Sequence, residues 1–221
     1  MPSQPPPRCR CDQDFERLFD EREAEHDLAE WRKGSPPDAT QELIDALQAE
    51  GVEGAALLDI GAGVGMIHLE LLGAGAATAV DVDASTAYLA VARAEAVRLG
   101  LADRVEHRFG DVVDLAAELP PADVVTLDRV ICCYPDLPAL IGAAMVPGPR
   151  LIGLVHPTDG WWMRWSMAFF NALSRLLRRH HFFYVHRRIE IERLMREAGF
   201  LERHHGGGRV WRVAVYRRSA D

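Results

Sequence analysis

The nine residues LLDIGAGVG, from Leu57 to Gly65, decide the fold of this chain. An apolar run ends there in a glycine-rich loop, which is typical of a strand that turns into a helix and lets the backbone approach a ligand closely. A dinucleotide-binding loop has its third glycine three residues after the second, and here Met66 stands in that position. Gly65 instead follows Gly63 by two residues. The loop therefore predicts a ligand at the edge of a sheet, and this ligand is not expected to be a nicotinamide dinucleotide.

Short apolar runs continue after this loop and alternate with helical segments. Four of them, AVDV, VEHRF, VVTL and LIGLV, begin at Ala79, Val105, Val124 and Leu151. Because their hydrophobicity is continuous rather than alternating, they predict strands buried on both faces, as in a parallel sheet covered by helices. A helix is expected over 187–198, followed by a closing β-hairpin around Gly206-Gly207-Gly208. The region 51–221 is thus predicted to be one α/β domain.

The N-terminal part has a different character. Residues 1–11 are Pro-rich and polar and are predicted to be a disordered tail. The region 12–50 is expected to be a helical extension with a first helix over 14–33. A second helix is announced by Ser35-Pro36-Pro37, a cap residue followed by prolines suited to the first turn.

Composition and charge narrow the function. The 221 residues are 48% hydrophobic and 26% charged, with no run of eighteen uncharged apolar residues and no apolar leader, so we expect a cytoplasmic protein. The net charge of −8 disfavours general nucleic-acid binding, although residues 148–221 carry 14 Arg against 6 acids. The pairs Cys9/Cys11 and Cys132/Cys133 suit neither a disulfide framework nor a metal site, and no metal is expected.

With Asp59 two residues before Gly61, the loop has the arrangement D-x-G-x-G-x-G. This arrangement resembles the first motif of the class I S-adenosylmethionine (SAM)-dependent methyltransferases, and the likeness extends over about residues 40–218. The resemblance implies a Rossmann-like α/β fold: a mainly parallel seven-stranded sheet, helices on both faces and a closing antiparallel hairpin. It also implies SAM as cofactor, so that residues 51–221 become a SAM-binding domain. The implied cofactor-binding residues are Asp59, Gly61, Gly63, Gly65, Asp81, Val82, Asp111, Val112 and Asp128.

The resemblance gives these residues roles. Asp81 is expected to bind the two ribose hydroxyls. Asp83 is the competing carboxylate for this role, and we interpret it as a helix N-cap. Asp111 is expected to accept from the adenine amino group, with Val82 and Val112 on the two faces of the ring. Asp128 is expected to face the methionine end of the cofactor. The alternative for Asp128 is a structural ion pair with Arg129.

Residues near the methyl group are expected at the exit of the fourth strand and after the fifth. Cys133 occupies a place where many members acting on small molecules have His, so a base there is not available. His156 is the preferred general base, with His186 and Tyr134 as further candidates. The alternatives are a histidine bonded within its own loop and a tyrosine that only packs. Cys133 and Tyr134 are also predicted substrate contacts.

An aromatic insertion over 158–186 contains a segment, 161–184, with eight of the 17 aromatic residues. On a helix, Trp162 and Trp165 share one face with Phe169. Three interpretations compete: packing in the core or a homodimer, a lid over an apolar acceptor, and peripheral membrane contact through 160–180. The lid is preferred, which makes Trp162 and Trp165 predicted substrate contacts.

The stretch LDRVICCYPD, from Leu127 to Asp136, together with this insertion, is distantly similar to the magnesium-protoporphyrin methyltransferases. The likeness implies a sizeable apolar acceptor rather than a porphyrin in particular. The predicted function is therefore methyl transfer from SAM to a small, apolar or aromatic organic acceptor, without a nucleic-acid partner. The alternative is a SAM-binding but catalytically silent protein that serves a partner or associates with a membrane.

Overall fold

A seven-stranded sheet forms the centre of the protein in a computed structural model, which describes residues 16, 19–34, 36–176 and 182–219. The strands are β1 (Ala56–Ile60), β2 (Thr78–Asp83), β3 (Val105–Phe109), β4 (Val124–Asp128), β5 (Leu151–Pro157), β6 (Phe200–Gly207) and β7 (Trp211–Arg218). The α-helices are α1 (Glu21–Lys33), α2 (Asp38–Ala49), α3 (Met66–Gly73), α4 (Thr86–Arg98), α5 (Val112–Leu115), α6 (Leu137–Met145), α7 (Trp161–Leu176) and α8 (Arg188–Glu197). Short 3₁₀ turns cover Ala102–Arg104, Ala116–Glu118 and Ile131–Cys133.

The strand order is β3-β2-β1-β4-β5-β7-β6. The first five strands are parallel, and β7 runs antiparallel to both of its neighbours, β5 and β6. The chain moves outwards from β1 to β3 and then returns to β4 on the other side of β1, which opens a crevice at the carboxyl ends of β1 and β4. The Rossmann-like fold, the five parallel strands and the closing hairpin predicted from the sequence are confirmed. The prediction that all five are buried on both faces was wrong for β3, because β3 lies at the edge of the sheet and its residues are partly exposed.

Helices cover both faces of the sheet because alternate residues of each strand point to opposite sides. Leu58, Leu127 and Leu154 lie in the core beneath α6 and α8. On the other face, Leu57 and Leu151 pack with α2 and α3. The glycine loop leaves the sheet between these two layers, so its position is fixed by buried strand residues on either side.

The first helices are part of this packing. The predicted helix over 14–33 begins at Glu21, because the Asp20 carboxylate accepts from the backbone N–H of Glu23 (3.1 Å) and starts the helix there. The second helix has Pro37 at its N-cap position, one residue before the first turn in which the prolines were expected. The predicted tail 1–11, the residues 14–15 and Ser35 lie outside the described residues.

Within the described part of the chain, no helix is both long and apolar enough to cross a bilayer. The chain also offers no group of three or more His, Cys, Asp or Glu side chains that could hold a metal ion, as far as the described residues show. Cys9 and Cys11 lie outside those residues.

Candidate active site

A cavity of about 480 Å³ opens at the carboxyl ends of β1, β2 and β4. One side, here called the inner wall, comes from the strand ends and the loops that follow them. It consists of Gly61, Gly63, Val82, Asp83, Asp111 and Val112. A second set of lining residues, here called the outer wall, comes from parts of the chain distant in sequence from these loops. It consists of Phe19, Glu23, Asp27, Phe183 and Trp211. Asp128, Arg129, Cys133 and Tyr134 border the same cavity.

The glycine loop is shaped by close backbone approach. Gly61 has φ = 62° and donates its N–H to the carbonyl of Val82 (2.7 Å). A Cβ at Gly61 would lie 2.5 Å from Cγ2 of Val130, which also borders the cavity. Gly65 starts α3 and does not border the cavity, and a Cβ there would meet the His68 ring at 2.9 Å. The predicted glycines therefore divide into Gly61 and Gly63 at the cavity and Gly65 behind it.

The two carboxylates of β2 differ in position. Asp81 is fully buried, accepts from Nδ1 of His107 (2.8 Å) and does not border the cavity. Asp83, the last residue of the strand, borders it and accepts from the backbone N–H groups of Gly63 (3.0 Å) and Ser85 (2.8 Å). Because Asp81 lies one pleat deeper, the carboxylate at the cavity is Asp83 and not the expected Asp81.

The helix N-cap is also different from the prediction. Ser85 caps α4, since its hydroxyl accepts from the backbone N–H of Tyr88 (3.2 Å). The interpretation of Asp83 as the N-cap was therefore wrong. Its carboxylate instead links the start of this helix to the glycine loop.

Asp59 belongs to a buried polar row beneath the loop. Its carboxylate accepts from the Thr126 hydroxyl (2.6 Å) and from Nδ1 of His68 (3.0 Å). Asp59 and Asp81 are register partners in adjacent strands. Burial alone lowers the pKa of His68, but Asp59 and Asp81 together raise it. Asp59 reaches only a small adjoining cavity of about 50 Å³, so it supports the glycine loop from below.

These buried acids affect Asp83. Burial, the first cause, and then the negative charge of Asp81 raise the pKa of Asp83 to about 7. The two backbone N–H groups that Asp83 accepts from act in the opposite direction. The carboxylate at the cavity therefore changes its charge within the physiological range.

Asp111 lies at the end of β3 and caps the short helix α5 by accepting from the backbone N–H of Val113 (2.9 Å). The Tyr134 hydroxyl donates to the same carboxylate (3.0 Å). Burial and the Asp111 charge raise the pKa of Tyr134 well above its ordinary value. Tyr134 stays protonated at neutral pH, so it can orient Asp111 but is a poor general base.

Asp128 and Arg129 both border the cavity. The Asp128 carboxylate accepts from the Thr40 hydroxyl (2.7 Å) and from Nε of Arg129 (3.1 Å), so the alternative ion pair is present at the cavity itself. Among the described residues, Arg129 is the one non-glycine residue with a clearly positive φ (60°). Such a conformation costs of the order of 1–3 kcal/mol and is often found at functional sites. Arg129 therefore brings a positive charge to a cavity whose other charged residues are carboxylates.

The two histidines predicted as bases do not border the cavity. His156 is buried in β5, where its Nδ1 lies 3.0 Å from the Pro157 carbonyl, and burial lowers its pKa. His186 donates from Nε2 to the Tyr134 carbonyl (2.9 Å). The prediction of His156 and His186 as catalytic bases is therefore not supported by their positions, since both lie behind the cavity wall.

The aromatic helix α7 also departs from the prediction. Trp162 and Trp165 are exposed and do not border the cavity, so their positions do not support the interpretation of this face as a lid or of these residues as substrate contacts. Met163 and Ser174, on the opposite face, are buried. The insertion reaches the cavity through Phe183 instead. The Phe183 carbonyl accepts from Nδ2 of Asn171 (2.7 Å), and the Phe183 N–H donates to Oδ1 of the same side chain (3.0 Å).

Sequence reasoning missed the contribution of α1. Glu23 and Asp27 border the cavity, and Asp27 accepts from the Tyr88 hydroxyl (2.7 Å). The ring of Tyr88 meets Phe19 edge-on, with 5.7 Å between ring centroids. In the sequence, Glu23 and Asp27 belong to an acidic run that resembles an ordinary solvated helix face. Only the packing of α1 on α4 shows that these acids face a site.

Comparison with known proteins shows the family of this chain. A model of the methyltransferase domain matches residues 24–204. The chain belongs to the methyltransferase domain family. Members of this family take their methyl group from SAM, so SAM is the cofactor of this chain. A release factor glutamine methyltransferase of Cereibacter sphaeroides is 36% identical over an alignment of 110 residues, which covers 46% of this chain and 38% of that protein. The chain thus matches well under half of the length of this relative.

Solved methyltransferases share the fold over nearly the whole chain. The magnesium protoporphyrin IX methyltransferase of Synechocystis with bound SAH has a TM-score of 0.71 at 18% identity and covers 94% of this chain and 99% of its own. The geranyl diphosphate C-methyltransferase of Streptomyces coelicolor has a TM-score of 0.69 at 13% identity, with 96% and 100% covered. The likeness to the magnesium-protoporphyrin enzymes noted in the sequence therefore extends to the fold.

Proposed function

We propose that this methyltransferase acts on a small, predominantly apolar organic acceptor that binds against the outer wall of the cavity. The observation that carries the proposal is the contrast between the walls. The inner wall offers fixed carboxylates and bare backbone, whereas the outer wall adds the rings of Phe19, Phe183 and Trp211 beside the carboxylates of Glu23 and Asp27. Aromatic rings bury large apolar areas with well-defined geometry, which suits an acceptor of this class.

The residues of the inner wall fit SAM. We assign the ribose hydroxyls to Asp83, because a carboxylate accepts from two hydroxyls at once and Asp83 is the acid of β2 that borders the cavity. We assign the adenine amino group to Asp111, with the adenine ring between Val82 and Val112. Asp128 and Arg129 suit the ammonium and carboxylate groups of the methionine end.

When bound, SAM supplies a methyl group that its sulfonium charge already activates. The work left to the chain is to hold the acceptor in line and to exclude water. Cys133 and Tyr134 border the cavity, which supports their assignment as acceptor contacts. Among the described residues, no histidine borders the cavity, so the groups there that can take up a proton are carboxylates such as Glu23 and Asp27.

The test is a methyl-transfer assay that measures SAH release over a panel of apolar phenols, acids and amines and their polar analogues. We expect turnover with apolar members of the panel. Phe183→Ala should raise the acceptor KM by about tenfold, the scale of losing one apolar aromatic contact, without changing SAM affinity. The matched control is Phe109→Ala, at a half-exposed ring outside the cavity.

SAM binding without SAH release over the whole panel would instead favour the catalytically silent alternative. A preference for the polar analogues, or an equal effect of both Phe variants on KM, would contradict the assignment of the outer wall.

A further inference from the structure

One face of α7 exposes a continuous set of large apolar side chains. This exposed aromatic face consists of Trp161, Trp162, Trp165, Phe169, Leu173 and Leu176. Four of them are more than 70% exposed: Trp161 77%, Trp165 74%, Phe169 72% and Leu176 78%. On the opposite face, Met163 and Ser174 are buried, so the helix is already packed on the body of the protein. An apolar patch of this kind marks an interaction surface.

The charge of α7 is positive, against the sign of the whole chain. Residues 161–176 contain two Arg and no Asp or Glu, while the net charge of the protein is −8. Arg164 and Arg175 are exposed on α7 itself. Arg175 lies over the Phe182 ring, 5.4 Å from its centroid. A partner that fits must therefore combine an apolar interior with a negatively charged surface.

A second copy of this chain does not meet that requirement. Two copies joined through this face would bring Arg164 and Arg175 of each copy together without an acid on α7 to balance them. An anionic lipid bilayer does meet it, because tryptophan prefers the boundary between headgroups and acyl chains and arginine pairs with anionic headgroups.

We propose that the exposed aromatic face binds the surface of an anionic lipid bilayer. The face is connected to the cavity, because Asn171 of α7 holds the backbone of Phe183 and the Phe170 and Phe183 rings pack with 5.5 Å between centroids. If the acceptor is apolar, as the proposed function holds, lipid binding through α7 brings the outer wall next to the phase in which such an acceptor dissolves.

The test uses flotation of the full chain with vesicles of phosphatidylcholine and phosphatidylglycerol in equal parts, compared with phosphatidylcholine alone. We expect binding to the mixed vesicles that is at least about tenfold stronger than to the neutral ones and that weakens in about 0.5 M salt, where charges are strongly screened. A blue shift of tryptophan emission should accompany binding, since three of the five Trp lie on this face.

Matched variants separate the face from general stickiness. Trp161→Ser/Trp165→Ser/Phe169→Ser should lose at least about tenfold in vesicle affinity, because apolar area drives interfacial binding. Val97→Ser/Phe109→Ser/Leu201→Ser, at exposed apolar residues elsewhere, should stay within about twofold of wild type. Arg164→Glu/Arg175→Glu should weaken binding to mixed vesicles more than Arg93→Glu/Arg193→Glu, which changes the net charge equally.

SAM affinity of the aromatic triple variant should stay at the wild-type value, which separates this test from that of the proposed function. Absence of wild-type vesicle binding, or equal vesicle binding by the two triple variants, would overturn the proposal. Dissociation of a wild-type dimer by the aromatic substitutions, measured by light scattering, would also overturn it and assign the face to a second copy.

Discussion

The two walls of the cavity are built in different ways. Each carboxylate of the inner wall is held within a few residues of a strand end, as Asp83 is by Gly63 and Ser85 and Asp111 is by Val113. The outer wall depends on long-range packing: Phe19 rests on Tyr88, and Phe183 is held by Asn171. A site fixed by the sheet suits the invariable part of the reaction, the cofactor, whereas a site fixed by added helices can differ between acceptors.

The largest effect that tests this contrast is expected at the inner wall. Asp83→Asn removes the charge that we assign to the ribose hydroxyls and should weaken SAM binding by about 1.5–3 kcal/mol, roughly 10- to 150-fold, the scale of hydrogen bonds to a charged group. Calorimetric titration with SAM measures it. Asp103→Asn, at an exposed acid away from the cavity, is the control.

The neighbouring acid sharpens the comparison. Asp81→Asn should lower the melting temperature, because it disturbs the buried contact with His107, while SAM affinity stays within about threefold of wild type. The opposite result, with Asp81→Asn abolishing SAM binding and Asp83→Asn harmless, would return the ribose assignment to Asp81.

A somewhat smaller effect is expected at the glycine loop. Gly61→Ala places a Cβ 2.5 Å from Val130 and should cost about tenfold in SAM affinity through displacement of the loop and of the cavity wall. Gly51→Ala is the matched control, since Gly51 also has positive φ (87°) but nothing within 4 Å of the added Cβ. It should lower stability slightly and leave SAM binding intact. Equal loss of affinity in both variants would show that backbone strain, not contact with Val130, is responsible.

The raised pKa of Asp83 predicts that SAM affinity depends on pH, with an effect about as large as that of Gly61→Ala. The carboxylate is the form that accepts hydrogen bonds, and it becomes protonated as the pH falls through about 7. SAM affinity should therefore decrease by roughly tenfold from about pH 8 to about pH 6, as expected for one group with a pKa near 7. Titrations across this range should show no such step in Asp83→Asn. A step of the same size in that variant would place the titrating group elsewhere.

The smallest effect is expected at His156, which lies outside the cavity. His156→Asn keeps a nitrogen near the Pro157 carbonyl and should change turnover by less than about threefold, because His156 does not border the cavity. A loss of about 100-fold, the scale of a missing general base, would contradict the geometry described for β5.

The inner wall was largely predictable from the sequence, and the outer wall was not. Continuous apolar runs and the spacing of Gly61, Gly63 and Gly65 located the strands and the loop, because these signals are local. The sequence could not decide which of Asp81 and Asp83 borders the cavity, since this depends on where β2 ends relative to α4. Asp27 and Phe183 could not be identified, because only tertiary packing brings α1 and residues 182–187 to the same cavity as the loop after β1.

The aromatic segment shows a different limit. Its helical periodicity was read correctly, and α7 forms over Trp161–Leu176. Periodicity gives the relative positions of side chains around a helix but not which face the rest of the protein covers. Met163 and Phe170 turn towards the body, and the larger set with Trp165 turns away.

A crystal structure of the protein with SAH tests the central claim most directly, that the inner wall binds the cofactor and the outer wall the acceptor. We predict the ribose hydroxyls on the Asp83 carboxylate, the adenine between Val82 and Val112, and the sulfur facing a space bordered by Phe183 and Trp211. A ribose bound by Asp81, or SAH lying along the outer wall, would contradict the account.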